Sequence, residues 1–553
     1  MHKVRRLVIT IFAVITVAFL VFFGIWFSGR GNRALRMRLL YEGCRYGTPP
    51  NPLLVRNWFE KGEIASFEFE VENPLQQDLW VTFLLKPLGT GDALVVKEET
   101  VKAGEGKRIA FEVDTSNLEI GLYKVSANIG GVGEIEANTA PFNLTNLDSY
   151  PWLLAVLSGS AKCLEDSLDG LPKLIVSKGL GVNIHFIAPG KVEKLDLDMI
   201  AYAGFNLIRM DLFWHEIERN IGSHDFSSYI ALTSELKERG LRPLYILDYG
   251  NPLYENGLPP RTDSGVAAFV MYARSCAEVF RDYAIYEIWN EPNIPVFWKP
   301  SPNTSDYARL AKATVQGIRE VCGKCTILAP ATSGVDTDFI THISMLKALD
   351  HVDAVSVHPY RNSPPETALN DLENLRNLTG DRAIAISEWG YPTGGSYGNK
   401  VDVIKQAQYI VRVYLVSLLA RAPITILYDW KDDGLLLEDS EHNFGLVAHH
   451  IRGLEWFIIK PAYFAIYNFN RLLCGFSPAG TLNTNGVYSL ILEKNGEKRI
   501  VLWTQGPEVE IELNLQESEI EILHLFGGVE HLYSESGTYM VRVDGSPKIV
   551  RLP

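Results

Sequence analysis

The chain has 553 residues and a formal net charge of -14 at pH 7. At about 150 residues per domain, this length predicts a multidomain protein with roughly three or four units. The acidic surface argues against nucleic acid or an anionic membrane surface as a binding partner, while it leaves neutral ligands such as carbohydrates open.

An apolar run without a charged residue covers residues 7–27. A helix of about 20 such residues is long enough to cross a bilayer. A cleaved signal peptide is the alternative, but the run exceeds the usual apolar core of about 7 to 15 residues and no clear cleavage site follows it. We therefore expect an uncleaved transmembrane anchor in residues 1–30 and a linker over 31–51. Basic residues flank the run on both sides, so charge does not decide its orientation.

Short segments of strand character follow over residues 52–147. The segment 66–71 alternates polar and apolar residues, as a half-buried strand does. The pattern predicts an immunoglobulin-like β-sandwich, which either binds sugar or, as we favour, spaces the next domain from the membrane. Residues 148–180 are a connector that the pattern does not classify.

Apolar strands alternate with amphipathic helices over residues 181–470, a pattern that predicts parallel βα units. Eight strand cores can be counted, at 182–186, 206–210, 243–247, 285–289, 326–329, 354–357, 383–386 and 425–428. Eight such units form a (β/α)8 TIM barrel, whose active site lies at the carboxyl ends of the strands.

Two of these strands end on a glutamate. Asn290 and Glu291 follow the fourth strand, which Pro292 ends, and Glu388 follows the seventh. A single glutamate at a strand end is more often a solvated loop residue. Two of them at one barrel rim suit glycoside hydrolysis, in which one carboxyl protonates the leaving oxygen and the other attacks the anomeric carbon or activates water.

The residues around both glutamates resemble a known family. Trp-Asn-Glu-Pro-Asn at 289–293 and Ser-Glu-Trp-Gly-Tyr-Pro at 387–392 are similar to the acid/base and nucleophile motifs of the clan A retaining glycoside hydrolases, which are (β/α)8 barrels. The resemblance covers about residues 180–470. Segments 248–254 and 441–447 look closer to the xylosidase- and iduronidase-like family 39 and to exopolysaccharide hydrolases, alongside cellulase-like family 5 features.

The resemblance implies a role for each residue at the strand ends. Glu291 is the expected acid/base and Glu388 the expected nucleophile, which Arg209 and Tyr360 keep ionised and oriented. Asn290 is expected to bond the sugar 2-hydroxyl. The remaining residues expected to contact or position substrate are His358, Trp430, Trp214, Asp248 and Tyr249. For Arg209, His358 and the aromatic residues a purely structural role in the barrel is the alternative.

Strand patterns return over residues 471–553 and predict a second β-sandwich, more plausibly structural than an independent binding module. Six cysteines permit disulfides without fixing their pairing. Cys322 and Cys325 are expected to form a local disulfide or remain two thiols, because no second cysteine pair completes a zinc site.

The sequence thus predicts an α/β protein with a TIM barrel between two β-sandwiches, anchored in a membrane with its catalytic domain on the extracytoplasmic side. The expected activity is retaining hydrolysis of O-glycosidic, favouring β, bonds of a poly- or oligosaccharide, with no metal or organic cofactor. The alternatives are a transglycosylase that uses the same residues, a non-catalytic polysaccharide-binding protein, and a surface scaffold.

Overall fold

The computed structural model describes residues 36–39, 55–130, 133–136, 153–163, 170–185, 192–380, 382–449, 456–484 and 486–552. The predicted membrane anchor at 7–27 lies outside the described residues. Among the residues that are described, no helix has the length and apolarity needed to cross a membrane.

Two sheets form the N-terminal sandwich. Its strands, together with β2 at its edge, are β1 (Arg36–Leu39), β2 (Val55–Arg56), β3 (Trp58–Glu60), β4 (Ile64–Glu72), β5 (Leu79–Pro87), β6 (Leu94–Val101), β7 (Gly106–Asp114), β8 (Gly121–Ile129), β9 (Gly133–Glu136) and β10 (Leu153–Leu157). One sheet has the order β1-β4-β7, and the other has the order β3-β10-β8-β5-β6 with β9 beside β8. Phe69 and Phe111 of the first sheet pack against Phe83 of the second, with ring centroids 4.9 and 5.2 Å apart.

Strand β10 extends this sandwich into the segment 148–180, which the sequence left as an unclassified connector. All five of its residues are buried. Leu154 and Val156 pack in the sandwich core, whereas Leu153, Ala155 and Leu157 pack in the core of the barrel. Because both faces of β10 are covered, its sequence shows no alternation that would identify it as a strand.

Eight parallel strands form the predicted closed barrel. They are β11 (Leu180–Asn183), β12 (Leu207–Phe213), β13 (Arg242–Asp248), β14 (Ile285–Ile288), β15 (Thr326–Ser333), β16 (Ala354–His358), β17 (Ala383–Trp389) and β18 (Ile424–Leu427). β11 pairs with β18 and closes the ring. Buried aliphatic residues, among them Leu207, Leu244 and Ile285 at or near the strand starts, form one cluster with residues of the other strands, which leaves the polar residues at the carboxyl ends to line a cavity.

Helices cover the outside of the barrel. They are α1 (Lys194–Tyr202), α2 (Trp214–Ile217), α3 (Ser227–Glu238), α4 (Asp263–Phe280), α5 (Thr304–Val321), α6 (Thr337–Met345), α7 (Leu369–Thr379), α8 (Val403–Leu419) and α9 (Pro461–Leu473). Several begin at side-chain caps, as α8 does, where Asp402 accepts from the backbone N–H of Lys405. An N-cap residue and an apolar face are local signals by which a sequence indicates a helix.

The C-terminal sandwich follows α9. After β19 (Trp456–Phe457), which pairs with β2, its strands are β20 (Ser477–Gly480), β21 (Tyr488–Lys494), β22 (Glu497–Trp503), β23 (Val509–Asn514), β24 (Glu519–Leu523), β25 (Val529–Tyr533), β26 (Thr538–Val543) and β27 (Lys548–Arg551). The sheet order is β20-β21-β22-β27-β24-β25, with β23 and β26 as a separate pair. The predicted second sandwich is therefore present.

Direct contacts join the three units. Leu122 of the N-terminal sandwich donates from its backbone N–H to Phe526 O of the C-terminal sandwich at 2.9 Å. A disulfide links Cys163, ahead of the barrel, to Cys474 at the end of α9. A second disulfide joins Cys322 and Cys325, one of the two states expected for that pair, and Cys276 is a buried free thiol.

Candidate active site

A cavity of about 830 Å³ opens at the carboxyl ends of the barrel strands. Six of the ten predicted site residues line it: Arg209, Tyr249, Asn290, Glu291, Tyr360 and Glu388. They come from β12, β17 and the loops after β13, β14 and β16, so the barrel brings together residues that are far apart in the sequence.

Arg209 is the centre of the polar network below the cavity. It is 1% exposed and donates from Nε to Glu287 Oε2 at 2.8 Å and from Nη1 to Glu388 Oε2 at 2.7 Å. Its Nη2 donates to Asn290 Oδ1 at 2.8 Å, which fixes the orientation of the amide, since the oxygen accepts and the NH2 group donates. A buried guanidinium needs such partners, because an unpaired buried charge is costly.

Glu388 is held from two sides as an acceptor. Tyr360 donates its hydroxyl to Oε1 at 2.8 Å, while Arg209 donates to Oε2. Burial and the neighbouring Glu388 carboxylate raise the pKa of Tyr360 well above its usual range, so the phenol keeps the proton that it donates. Both contacts fix the orientation of the Glu388 carboxyl group, and Arg209 places a positive charge beside it.

Glu291 is positioned by His358 and by an unusual backbone. His358 Nδ1 lies 2.9 Å from Glu291 Oε1, and Arg209 Nη2 lies 3.4 Å from His358 Nε2. Because a guanidinium only donates, Nε2 is the acceptor and Nδ1 carries the proton that bonds Glu291. Glu291 has a φ of 44°, in the left-handed region, where its own N–H donates to Ala331 O at 3.0 Å.

The two glutamates face each other across the cavity. One carboxylate oxygen of Glu291, one of Glu388 and a ring nitrogen of His358 all lie within 4.8 Å of one another. Within the protein, His358 contacts Oε1 of Glu291, and Arg209 and Tyr360 contact the two oxygens of Glu388. The short separation leaves room for a reacting centre between the two carboxyl groups.

Four predicted site residues do not line the cavity. His358 is fully buried and acts on Glu291 from behind it. Trp214, 1% exposed, donates from Nε1 to Glu218 at 2.6 Å and stacks on Tyr254. Trp430, also 1% exposed, donates to Asp196 at 2.9 Å and packs against Tyr463. The two indoles therefore support the cavity wall, and their position does not provide the expected sugar contacts.

Asp248 is the fourth of these residues and is fully buried beneath the site. Burial and the nearby Asp211 carboxyl raise the pKa of Asp248 well above its usual range. A neutral carboxylic acid at this position explains how an aspartate is accommodated in the barrel interior. The expectation that Asp248 contacts substrate is therefore not supported, because its side chain lies below the cavity surface.

The cavity is polar at one end, where the sequence predicted no site residue. His185 follows β11, and Asp429 and Asp433 follow β18. Burial alone would lower the pKa of His185, but the carboxylates of Asp429 and Asp433 outweigh it and raise that pKa to about 9. Tyr428 and Glu441 line the same end. The sequence signal that could have predicted this end of the cavity is the presence of polar residues directly after the first and last barrel strands.

The opposite end, on the Glu291 side, is apolar. Phe297 stacks on Tyr249 with ring centroids 5.6 Å apart and an interplanar angle of 11°. Val296, which is 63% exposed, and Ile294 lie beside them along the cavity. Flat aromatic faces of this kind suit stacking against a sugar ring or an apolar group.

Residues 177–430 match the family model described as Cellulase (glycosyl hydrolase family 5). A curated beta-xylosidase from Geobacillus stearothermophilus is 27% identical over 249 residues, which are 40% of this chain and 46% of that protein. The aligned segment thus spans about half the length of that relative.

Solved structures share the architecture. A family 39 glycoside hydrolase from the gut symbiont Bacteroides cellulosilyticus has a TM-score of 0.67 at 21% identity, over 91% of this chain and 99% of that chain. A family 30 endoxylanase from Clostridium papyrosolvens has a TM-score of 0.50 at 13% identity, over 69% of this chain and 97% of that chain. At these identities the likeness is one of fold.

Proposed function

We propose that this chain is a clan A glycoside hydrolase related to families 5 and 39, as its match to the family 5 model and its similarity to a beta-xylosidase support. We propose further that it cleaves β-linked O-glycosidic bonds of an oligo- or polysaccharide by double displacement. The anomeric configuration is retained in such a reaction, since the two inversions cancel.

The observation that carries this proposal is the distance between the two glutamates. Retaining enzymes hold their carboxyl groups about 5 to 5.5 Å apart, whereas inverting enzymes leave about 6.5 to 9.5 Å for a water molecule. Oxygens of Glu291 and Glu388 lie within 4.8 Å of each other. This spacing supports direct attack by a carboxylate over attack by a water molecule placed between the two groups.

The contacts of each glutamate support its assigned role. Glu388 accepts hydrogen bonds from Arg209 and Tyr360, which hold it in one orientation and suit the nucleophile that attacks the anomeric carbon. Glu291 gives its proton to the leaving oxygen in the first step and takes a proton from the incoming water in the second. Asn290, fixed by Arg209, bonds the sugar 2-hydroxyl, an interaction that strengthens in the transition state.

The two ends of the cavity then bind different parts of the substrate. The leaving group lies on the Glu291 side, against Tyr249 and Phe297, and the sugar that becomes bonded to the enzyme lies toward His185 and Glu441. The similarity to a protein named beta-xylosidase makes β-xylosides the first substrates to test. A transglycosylase would use the same residues and differ only in whether a sugar or water enters the second step.

The test is incubation of the protein with aryl β-glycosides and β-linked polysaccharides, with the anomeric configuration of the first product followed by NMR. We expect the β-anomer to appear first and turnover to be abolished in Glu388→Gln. Glu291→Ala should lose about 100- to 10,000-fold on substrates with poor leaving groups, because protonation of the leaving oxygen contributes about that much. It should lose far less on dinitrophenyl glycosides, whose leaving group needs no proton.

Other results would contradict the proposal. First appearance of the α-anomer would indicate inversion. Glycan binding without turnover, unchanged in Glu388→Gln, would indicate a binding protein, and the absence of both would favour a scaffold. Transfer products formed in the presence of an acceptor sugar, exceeding hydrolysis, would identify a transglycosylase.

For localisation we propose a membrane-anchored protein whose barrel lies on the extracytoplasmic side. The apolar run at 7–27 motivates the anchor. The disulfides Cys163–Cys474 and Cys322–Cys325 support an oxidising compartment, because glutathione and thioredoxin keep cytosolic thiols reduced. Protease added to intact cells should digest the barrel, and removal of residues 1–30 should release the protein from the membrane fraction.

A further inference from the structure

Three side chains with metal-binding atoms converge at the polar end of the cavity, apart from the two glutamates. His185 comes from the loop after β11, and Asp429 and Asp433 come from the loop after β18, so the closure of the barrel between these strands brings them together. One ligand atom of each lies within 4.8 Å of the other two.

The spacing of these atoms is that of metal ligands. His185 Nε2 lies 3.5 Å from Asp429 Oδ2 and 3.5 Å from Asp433 Oδ2. Zinc binds histidine nitrogen and carboxylate oxygen at about 2.0 to 2.2 Å, so two ligands of a tetrahedral ion are about 3.3 to 3.6 Å apart. A hydrogen bond between an imidazolium and a carboxylate is shorter, at about 2.7 to 2.9 Å.

Several polar atoms of this group have no hydrogen-bond partner among the described residues. They are His185 Nε2, Asp429 Oδ1 and Asp433 Oδ1. Asp429 is only 1% exposed, and an unpaired carboxylate oxygen at such a buried position is costly. The nearby Asp432, by contrast, is paired with Lys460 at 3.0 Å and with the N–H of Gly445 at 2.8 Å. Within the cluster, His185 Nε2 approaches each of the two carboxylates at 3.5 Å, and one oxygen of each carboxylate has no partner among the described residues.

The geometry points to a divalent metal site in which His185 Nε2 and one oxygen each of Asp429 and Asp433 bind a borderline transition-metal ion such as Zn²⁺. One nitrogen and two carboxylate oxygens form a donor set that such ions accept, and a fourth ligand is needed to complete a tetrahedron. His185 lines the cavity and Asp433 is 21% exposed, so water or a sugar hydroxyl reaches that position. The site stands independently of the proposed glycosidase activity.

The group formed by Glu291, His358 and Glu388 also brings ligand atoms within 4.8 Å, but each of its three side chains is hydrogen-bonded within the protein. Glu291 is bonded to His358, and Glu388 to Arg209 and Tyr360. The guanidinium charge beside Glu388 disfavours a cation there. This group therefore serves as the matched comparison for the metal experiment.

The test is titration of the chelator-stripped, full-length protein with ZnCl₂ by calorimetry, followed by Co²⁺ substitution. We expect one Zn²⁺ per chain and the intense visible absorption of four-coordinate Co²⁺. Asp433→Asn and His185→Gln should weaken Zn²⁺ binding by more than the roughly 10- to 100-fold seen when residues around a metal's ligands are changed. Asp439→Asn, an exposed carboxylate on the same loop, and Glu388→Gln should bind Zn²⁺ as the unmodified protein does.

The thermal unfolding of each metal-free variant shows whether it is folded, and Zn²⁺ should raise the Tm of the unmodified protein and of the two controls only. Absence of stoichiometric binding by the unmodified protein would overturn the site. So would equal affinity in Asp433→Asn and His185→Gln, or loss of binding in Glu388→Gln instead.

Discussion

Tyr360 donates its hydroxyl to Glu388, the proposed nucleophile, and in this it differs from a tyrosine that donates only to a backbone carbonyl. Its bond to Glu388 is 2.8 Å long. Tyr391, in the adjacent loop, makes a bond of equal length to the carbonyl of Ser363. Comparing Tyr360 with Tyr391 therefore distinguishes a hydrogen bond to a carboxylate from a hydrogen bond that serves only the structure.

We expect Tyr360→Phe to lower kcat/KM for aryl glycosides by about 10- to 100-fold, because a hydrogen bond to a charged group contributes about 1.5 to 3 kcal/mol. Tyr391→Phe should lower the Tm and leave kcat/KM nearly unchanged. Steady-state kinetics and thermal unfolding of both variants make the comparison. Equal kinetic losses in the two variants would mean that Tyr360 acts only through the fold.

Asp248 makes the stability of the barrel depend on pH. Burial and Asp211 raise its pKa in the folded protein, so between the unfolded and folded pKa values the folded state holds a proton that the unfolded state lacks. Stability contributed by this group is therefore lost as the pH rises above about 4. Asn mimics the neutral form of the aspartic acid. The Tm of Asp248→Asn should therefore fall less between pH 5 and pH 8 than the Tm of the unmodified protein. Parallel Tm curves for the two proteins would contradict this.

At the scale of the elements, the eight barrel strands were predictable because parallel strands covered on both faces read as short apolar runs between helices. The predicted core at 243–247 and the observed strand Arg242–Asp248 differ by one residue at each end. Polar residues at the strand ends then located the cavity, since all parallel strands end at the same rim.

The direction in which a strand-end side chain points was not predictable. Trp289 has a φ of 68° and Glu291 a φ of 44°, so the backbone after β14 leaves the strand alternation. Trp430 and Trp214 are of the residue type that stacks on sugars, yet both indoles point into the cavity wall. Asp196 accepts the indole N–H of Trp430, and Glu218 accepts that of Trp214. These acceptors lie 234 and 4 residues away in sequence, and no local pattern reveals the distant one.

Glu366 joins three elements through one buried carboxylate. It lies in the turn Pro365–Ala368 after β16, where Arg412 of α8 donates to both of its oxygens at 2.8 and 2.6 Å. Trp503 of β22 donates to Oε1 at 2.8 Å. The contact therefore couples the barrel to the C-terminal sandwich.

Glu366→Ala should destabilise the protein by about 3 to 5 kcal/mol, because it leaves the Arg412 charge buried and unpaired. Asp371→Asn is the matched control, since it removes the exposed partner of Arg361 and should cost less than about 1 kcal/mol. Denaturant unfolding curves measure both. If Glu366→Ala lowers the free energy of unfolding as little as the control does, then water or a rearrangement of the protein must stabilise the unpaired Arg412 charge.

At the scale of the whole molecule, the two sandwiches touch through glycines. A Cβ atom at Gly89 would lie 1.8 Å from Gly527 O, and Gly527 itself has a φ of 98°. The backbones of the two domains approach too closely there for any side chain. Sequence alone did not place these domains against each other, because a glycine in a loop reads equally well as an ordinary turn.

Gly89→Ala should therefore open the junction between the sandwiches and cost about 1 to 3 kcal/mol, the usual range for overpacking. Gly106→Ala, where no atom of the described residues lies within 4 Å of the added Cβ, serves as the control. Limited proteolysis and the Tm should change in the first variant and not in the second. Unchanged proteolysis in Gly89→Ala would mean that the loop relaxes without loss of the junction.

The disulfide between Cys163 and Cys474 closes a span of 311 residues that contains all eight barrel strands. Covalently, the barrel is a ring with the two sandwiches as its tails. A single cut anywhere between these cysteines opens the ring but releases no fragment, so the protein remains one particle after a nick. The cut chain should migrate as one band on a non-reducing gel and as two bands after reduction. The two fragments of a chain cut once therefore come apart only where a reductant breaks the disulfide.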